Sequence, residues 1–124
     1  MVRAPLPGVV YPPAEYAARY KAAGVLGETT LGQALHEAAK THAERTALAA
    51  PGLRMTYREL DAITDRVGAA LLRLGLKPLD RVMFQIGNVP EFFFAAYGCF
   101  KAGLVPVCTL AAHREAEIGF LAPF

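Results

Sequence analysis

Between Val82 and Ala112 the chain carries only two formal charges, Glu91 and Lys101. The stretch from Arg81 to Leu110 (RVMFQIGNVPEFFFAAYGCFKAGLVPVCTL) reads as strand, tight turn, helix and strand, one parallel βαβ unit. Its helix is apolar on nearly every side: Phe92, Phe93, Phe94, Ala95, Ala96, Tyr97, Cys99 and Phe100. Such a helix belongs in an interior that covers it on more than one side. A chain of 124 residues buries roughly two-thirds of its unfolded surface and can hardly enclose it. The expectation is the opening piece of a larger α/β enzyme, with most of the chemistry beyond Phe124.

Composition narrows the class. With 54% hydrophobic and 19% charged residues the chain is globular rather than disordered. A net charge of +2, with basic residues scattered, gives no support to nucleic-acid or anionic-membrane binding. Uncharged apolar runs stay well short of the roughly 18 residues a membrane span needs. The opening MVRAPLPGVVYPPAEY places prolines and a glutamate where a signal peptide needs a continuous apolar segment. Cys99 and Cys108 lie inside apolar elements and are expected to be buried, reduced thiols. A cytoplasmic location follows as the expectation.

Local signals place the elements. The proline-rich opening reads as an extended lead-in, Pro12-Pro13 as a helix entry and Gly24 as its stop. In that helix Tyr16 and Tyr20, four apart, share a face. Thr30-Leu31-Gly32-Gln33 and Thr56-Tyr57-Arg58-Glu59 both have the capping-box form. The first opens a helix expected to group Leu31, Ala34, Leu35 and Ala38. The second opens a helix whose stripe is Leu60, Ile63, Val67, Leu71 and Leu74, with Arg58, Glu59, Asp61, Asp65, Arg66 and Arg73 solvated. Thr46–Ala50 and Leu53–Thr56, joined by Pro51-Gly52, form a small hairpin. Pro106 cannot donate to a ladder, so the strand from Leu104 to Cys108 is short, bulged or at an edge. Arg114 to Leu121 begins one more helix. The organisation is a 1–29 lead-in, a 30–80 helix–hairpin–helix, an 81–110 βαβ core, and the start of a helix over 111–124.

Chemistry-bearing constellations are sparse. The turn Gly87-Asn88-Val89-Pro90 is a generic strand-to-helix place for phosphate. It lacks a glycine-rich phosphate pattern, however; Pro90 removes a donor, and Glu91 adds negative charge. A plain helix start is the reading. The absence of serine excludes serine nucleophiles. Cys108 and His113 could be drawn as a pair, but a catalytic thiol needs a polar, partly open setting, and packing is favoured. His36 and His42, six apart on a helix, point to different faces, and His113, Glu115 and Glu117 have no metal-ligand spacing, so no metal site is expected. The run Phe92 to Phe94 suits core packing better than base stacking.

Several segments together resemble the N-terminal part of the adenylate-forming superfamily of acyl- and aryl-acid AMP ligases. MTYRELDAITDRVGAALLRLGLKPLDRV (55–82) is similar to the family's hairpin strand, long helix and lead into the first core strand. QIGNVPEFFFAAYGCFKAGLVPV (85–107) is similar to the βαβ unit that follows. YPPAEYAARYKAAGVLGETTLGQAL (11–35) and LAAHREAEIGFLA (110–122) resemble the free-standing aryl-acid branch, the 2,3-dihydroxybenzoate–AMP ligase type of siderophore biosynthesis. Leu79 stands where the family usually has glycine, and Tyr11 where that branch commonly has tryptophan.

The resemblance implies an α/β fold, here a partial N-terminal subdomain, from an enzyme that joins an aryl carboxylate to AMP from ATP with Mg²⁺. The acyl group would then pass to the phosphopantetheine thiol of a carrier protein. The family's phosphate loop, adenine segment, ribose aspartate and catalytic lysine have no counterpart here. No catalytic or cofactor-binding residue is therefore carried over, and the piece is expected to be inactive alone. The His113-Arg114 loop is the stretch nearest a substrate side. The alternatives are a piece of a generic acyl-CoA synthetase, or a non-catalytic βαβ module. The isolated chain is expected to self-associate through exposed apolar surface or to need the remainder of the enzyme as its partner.

Overall fold

Both threonine capping boxes form, and each sets where a helix begins. The computed structural model describes residues 8–123, so the first seven residues of the expected lead-in and Phe124 lie outside the described residues. At the start of α2 (Leu31–Thr41) the Gln33 amide donates to Thr30 Oγ1 at 3.2 Å, and the Thr30 amide donates to Gln33 Oε1 at 2.9 Å. At α3 (Tyr57–Arg73) Thr56 and Glu59 exchange the same pair of bonds. Each box satisfies two amides that the first turn leaves without a helical partner. Ahead of them α1 (Ala14–Ala22) buries none of its residues. Tyr16 and Tyr20 do share a face, and the Arg19 guanidinium stands over both rings at 5.2 and 5.4 Å.

Two separate strand pairs complete the frame. β1 (Thr46–Ala50) and β2 (Leu53–Thr56) form the expected antiparallel hairpin, with an irregularity between Thr46 and Leu48. β3 (Arg81–Phe84) and β4 (Val105–Cys108) run parallel, linked by α4 (Pro90–Ala102), in a register that sets Val82 opposite Pro106 and Phe84 opposite Cys108. In a two-stranded sheet both strands are edges, so Pro106 is tolerated. Gly103 ends α4 with φ +72, a conformation that costs an L side chain about 1–2 kcal/mol. α5 (Glu115–Leu121) follows the loop after β4.

The core sits where α3 crosses α4. Cys99, Ala102 and Leu104 are its buried centre, with Leu71, Leu76, Val82 and Phe84 packed around it. The crossing is close because two glycines meet there. A Cβ on Gly68 would lie 2.9 Å from the Gly98 carbonyl oxygen, and one on Gly98 would lie 2.5 Å from Val67 Cγ1.

Four expectations are corrected. The buried line of α2 is Gly32, Leu35 and Ala39; Leu31 and Ala34 face outward, because Gly32 is the residue that fits against the Lys101 backbone. In α3, Leu60, Thr64 and Gly68 are buried, whereas Leu74 lies past the helix end and is 78% exposed. Thr64 is accepted in that line because its hydroxyl donates to the Leu60 and Asp61 carbonyls. Asp61 is not solvated: its side chain is 14% exposed and paired. Of the two thiols only Cys99 is buried; Cys108, at the end of an edge strand, is exposed.

The apolar helix is uncovered on one side. Its small residues Ala96, Gly98, Cys99 and Ala102 are buried, while Phe93 is 42% exposed and Phe92, Phe94 and Phe100 are half-buried. Close packing against α3 uses the small side chains and leaves the large ones around the rim.

Candidate functional site at the carboxyl end of the parallel strands

In open α/β sheets ligands are taken outside the carboxyl ends of the strands. Here that edge is made by Gln85 after β3 and by Thr109 to Arg114 after β4. The Gln85 side-chain amide donates to three loop carbonyls: Leu110 at 3.1 Å, Ala111 at 3.2 Å and His113 at 2.7 Å. Thr109 is buried and turns back onto β3, its amide donating to the Phe84 carbonyl at 3.1 Å. Within the loop the His113 amide donates to the Leu110 carbonyl at 3.0 Å. Arg114 Nη1 donates to the His113 carbonyl at 3.1 Å. The Arg114 amide donates to Glu117 Oε2 at 2.9 Å, and this bond holds the Glu117 carboxyl below its ordinary value.

The two residues singled out in this loop therefore sit together, but differently. Arg114 is exposed and caps its own loop. His113 is half-buried, and its Nδ1 is buried with no hydrogen-bond partner among the described residues. His113 also lines a shallow cleft of about 400 Å³ with Ala116, Glu117, Phe120 and Leu121. Gln85 was missed by sequence reasoning. Its signal was available: it is the polar side chain that directly follows the apolar run Val82-Met83-Phe84 at the carboxyl end of the strand.

The other constellations stay apart. His36 Nδ1 lies 2.9 Å from Asp61 Oδ2, and the His42 ring lies 6.5 Å from that of Tyr57, so the two histidines do face different ways. No group of three or more His, Cys, Asp or Glu side chains is placed to hold a metal ion among the described residues. With Nδ1 unpaired, His113 makes no bond to Cys108 through that nitrogen. Burial pushes the Cys99 thiol up, and neighbouring Cys108 adds to the shift, which is the reverse of an activated nucleophile. At the Gly87–Pro90 turn Val89 precedes α4 without any side-chain cap, and Pro90 occupies the first turn with Glu91. Asn88, Val89, Pro90, Phe92 and Phe93 line a mainly apolar cleft of about 360 Å³ against Leu48, Ala49 and Ala50 of the hairpin. No described helix is long and apolar enough to cross a membrane.

These features have counterparts in known proteins. The model of the AMP-binding enzyme family matches residues 35–122. A salicyl-AMP ligase / salicyl-S-ArCP synthetase of Mycobacterium tuberculosis is 42% identical over 94% of the chain and 22% of its own length. The 2,3-dihydroxybenzoate-AMP ligase of Bacillus subtilis is 35% identical over 90% of the chain and 21% of its own length. The apo structure of Mycobacterium smegmatis MbtA is 40% identical over 94% of the chain and 22% of its own, with a TM-score of 0.88. The chain thus spans about a fifth of the length of these relatives. The apolar βαβ unit, the two capped helices and the loop after β4 are, in consequence, parts of a shared framework, and the chain belongs to the AMP-binding enzyme family.

Proposed function

We propose that residues 1–124 are the opening part of the AMP-binding domain of an ATP-dependent aryl-acid–AMP ligase serving siderophore biosynthesis, of the 2,3-dihydroxybenzoate or salicylate type. One observation carries the reading: the 42% identity to the salicyl-AMP ligase / salicyl-S-ArCP synthetase runs over 94% of the chain, beyond the 35–122 span of the family model. In this reading 1–29 is a lead-in, 30–80 the helix–hairpin–helix, 81–110 the βαβ core and 111–124 the start of the next helix. The complete enzyme acts in the cytoplasm and hands its acyl group to a carrier protein, and the His113-Arg114 loop faces the substrate side.

The residues present do not fit ATP or Mg²⁺ by themselves. No metal-ligating group converges among the described residues, and the strand-to-helix turn loses one amide donor to Pro90 and carries the negative Glu91 beside the rest. No step of the reaction is therefore assigned to this chain, which is inactive alone. It self-associates through apolar surface such as Val89, Phe93 and Val105 unless the rest of the enzyme covers it.

ATP–pyrophosphate exchange tests this directly. A polypeptide extended along the reading frame past Phe124 is expected to exchange with salicylate or 2,3-dihydroxybenzoate, and the 124-residue chain to stay at background. Exchange by the short chain, or an extended protein that responds only to aliphatic acids, overturns the assignment. Light scattering that finds a monomer at all concentrations removes the self-association.

A further inference from the structure

We propose that Gln85 is the positioning residue of the His113-Arg114 loop, its amide donors holding three loop carbonyls so that strand and loop act as one rigid lip at the carboxyl end of the parallel pair. The inference rests on the reading of that loop as substrate-facing, and adds the residue that sets its shape. The geometry is specific. One Nε2 serves the carbonyls of Leu110, Ala111 and His113 within 2.7–3.2 Å, residues 25 to 28 positions later in the chain.

Carbonyl oxygens brought this close repel one another unless a donor stands among them. The Arg114 guanidinium supports the same turn from outside through the Ala111 and His113 carbonyls, but it is exposed and local. Gln85 alone among these donors comes from the other strand. Beyond the Thr109 bonds to the Phe84 carbonyl at the loop's base, it therefore sets where residues 110–113 sit relative to β3, and with them the His113 ring, whose Nδ1 is held inward and unpaired among the described residues.

Two substitutions separate donation from shape. Gln85→Glu keeps the shape but replaces the donor with an acceptor, and Gln85→Lys restores donors on a longer stem. Amide hydrogen exchange and imidazole C2 exchange, both read by mass spectrometry on the chain, report the loop and His113 separately. In Gln85→Glu, amide exchange at His113 and Arg114 and C2 exchange at His113 are expected to rise by about tenfold, the loss of one good hydrogen bond. Peptides from α3 and α4 should not change, and Gln85→Lys should stay near the parent.

Unchanged exchange in Gln85→Glu overturns the proposal. So does equal opening in both variants, which would mean that donors at this position do not hold the loop, or opening that spreads through α3 and α4, which would make Gln85 a general determinant of the fold. None of these readouts depends on adenylation, so a failure of the proposed activity would leave them untouched.

Discussion

The Lys101 ammonium lies 2.5 Å from Asp61 Oδ1, an ion pair between α4 and α3 in which the side chains are only 10% and 14% exposed. The lysine's other donors reach the Asp61 carbonyl at 2.9 Å and Asp65 Oδ1 at 2.7 Å, and the second Asp61 oxygen takes His36 of α2. Asp61 of α3 thus ties together α2 and α4, and removing it strands the Lys101 charge. Asp61→Asn is expected to destabilise the chain by about 3 kcal/mol, the lower end for a broken buried pair because Asp65 remains. Urea denaturation checks it; an unchanged midpoint would reduce the network to surface decoration.

The same carboxylate makes stability depend on acid. Burial acts to raise the Asp61 carboxyl, but the hydrogen bonds and charges of Lys101 and His36 outweigh it and leave it below the ordinary 3.8. A group more acidic folded than unfolded contributes stability above its unfolded value, lost as pH falls through the folded one. Denaturation midpoints of the parent should therefore fall between about pH 5 and pH 2 more steeply than those of Asp61→Asn. Parallel curves would mean that other carboxylates control the acid limb.

Gly98 has no room for a methyl group. Its Cβ would stand 2.5 Å from Val67 Cγ1 and 3.3 Å from the Gly68 backbone nitrogen. Gly98→Ala is expected to cost about 2–3 kcal/mol despite alanine's better helix propensity. Val67→Ala in the same chain should restore part of that, since the 2.5 Å clash with Cγ1 is removed while the 2.9 Å approach to the residue-67 Cβ and the Gly68 backbone contact stay. Thermal melts of the double-mutant cycle give the coupling.

Leu79 is the one non-glycine residue with positive φ among the described residues, at +75°, its amide donating to the Gly103 carbonyl at 2.8 Å. The side chain is exposed, so little burial is lost on removing it. Leu79→Gly should raise stability by about 1 kcal/mol as the left-handed strain disappears. A melting temperature unchanged or lowered would show that the leucine contributes more than its conformation costs.

The thiols should separate by rate. Cys108 is exposed, and Cys99, 1% exposed, is pushed up by burial. A thiol reagent is expected to modify Cys108 rapidly and Cys99 only with opening of the α3–α4 core. Equal rates would mean that this core opens freely.

Sequence alone determined the elements and the family. Capping boxes, the hairpin turn, the glycine after α4 and the apolar βαβ run act over a few residues, so their physics is complete in the local sequence. The same holds for the expectation that the large aromatic residues of α4 lack cover, since a count of apolar positions against chain length suffices. Tertiary structure decided which side of each helix is used. Gly32, Gly68 and Gly98 were visible as letters, but only the crossing shows that the absence of a side chain is what packs there. It also decided that Asp61 is buried rather than solvated, that Cys108 is exposed, and that Gln85 grips a loop 25 residues further on. Each of these depends on what a distant segment places beside the residue, and local periodicity carries no record of that.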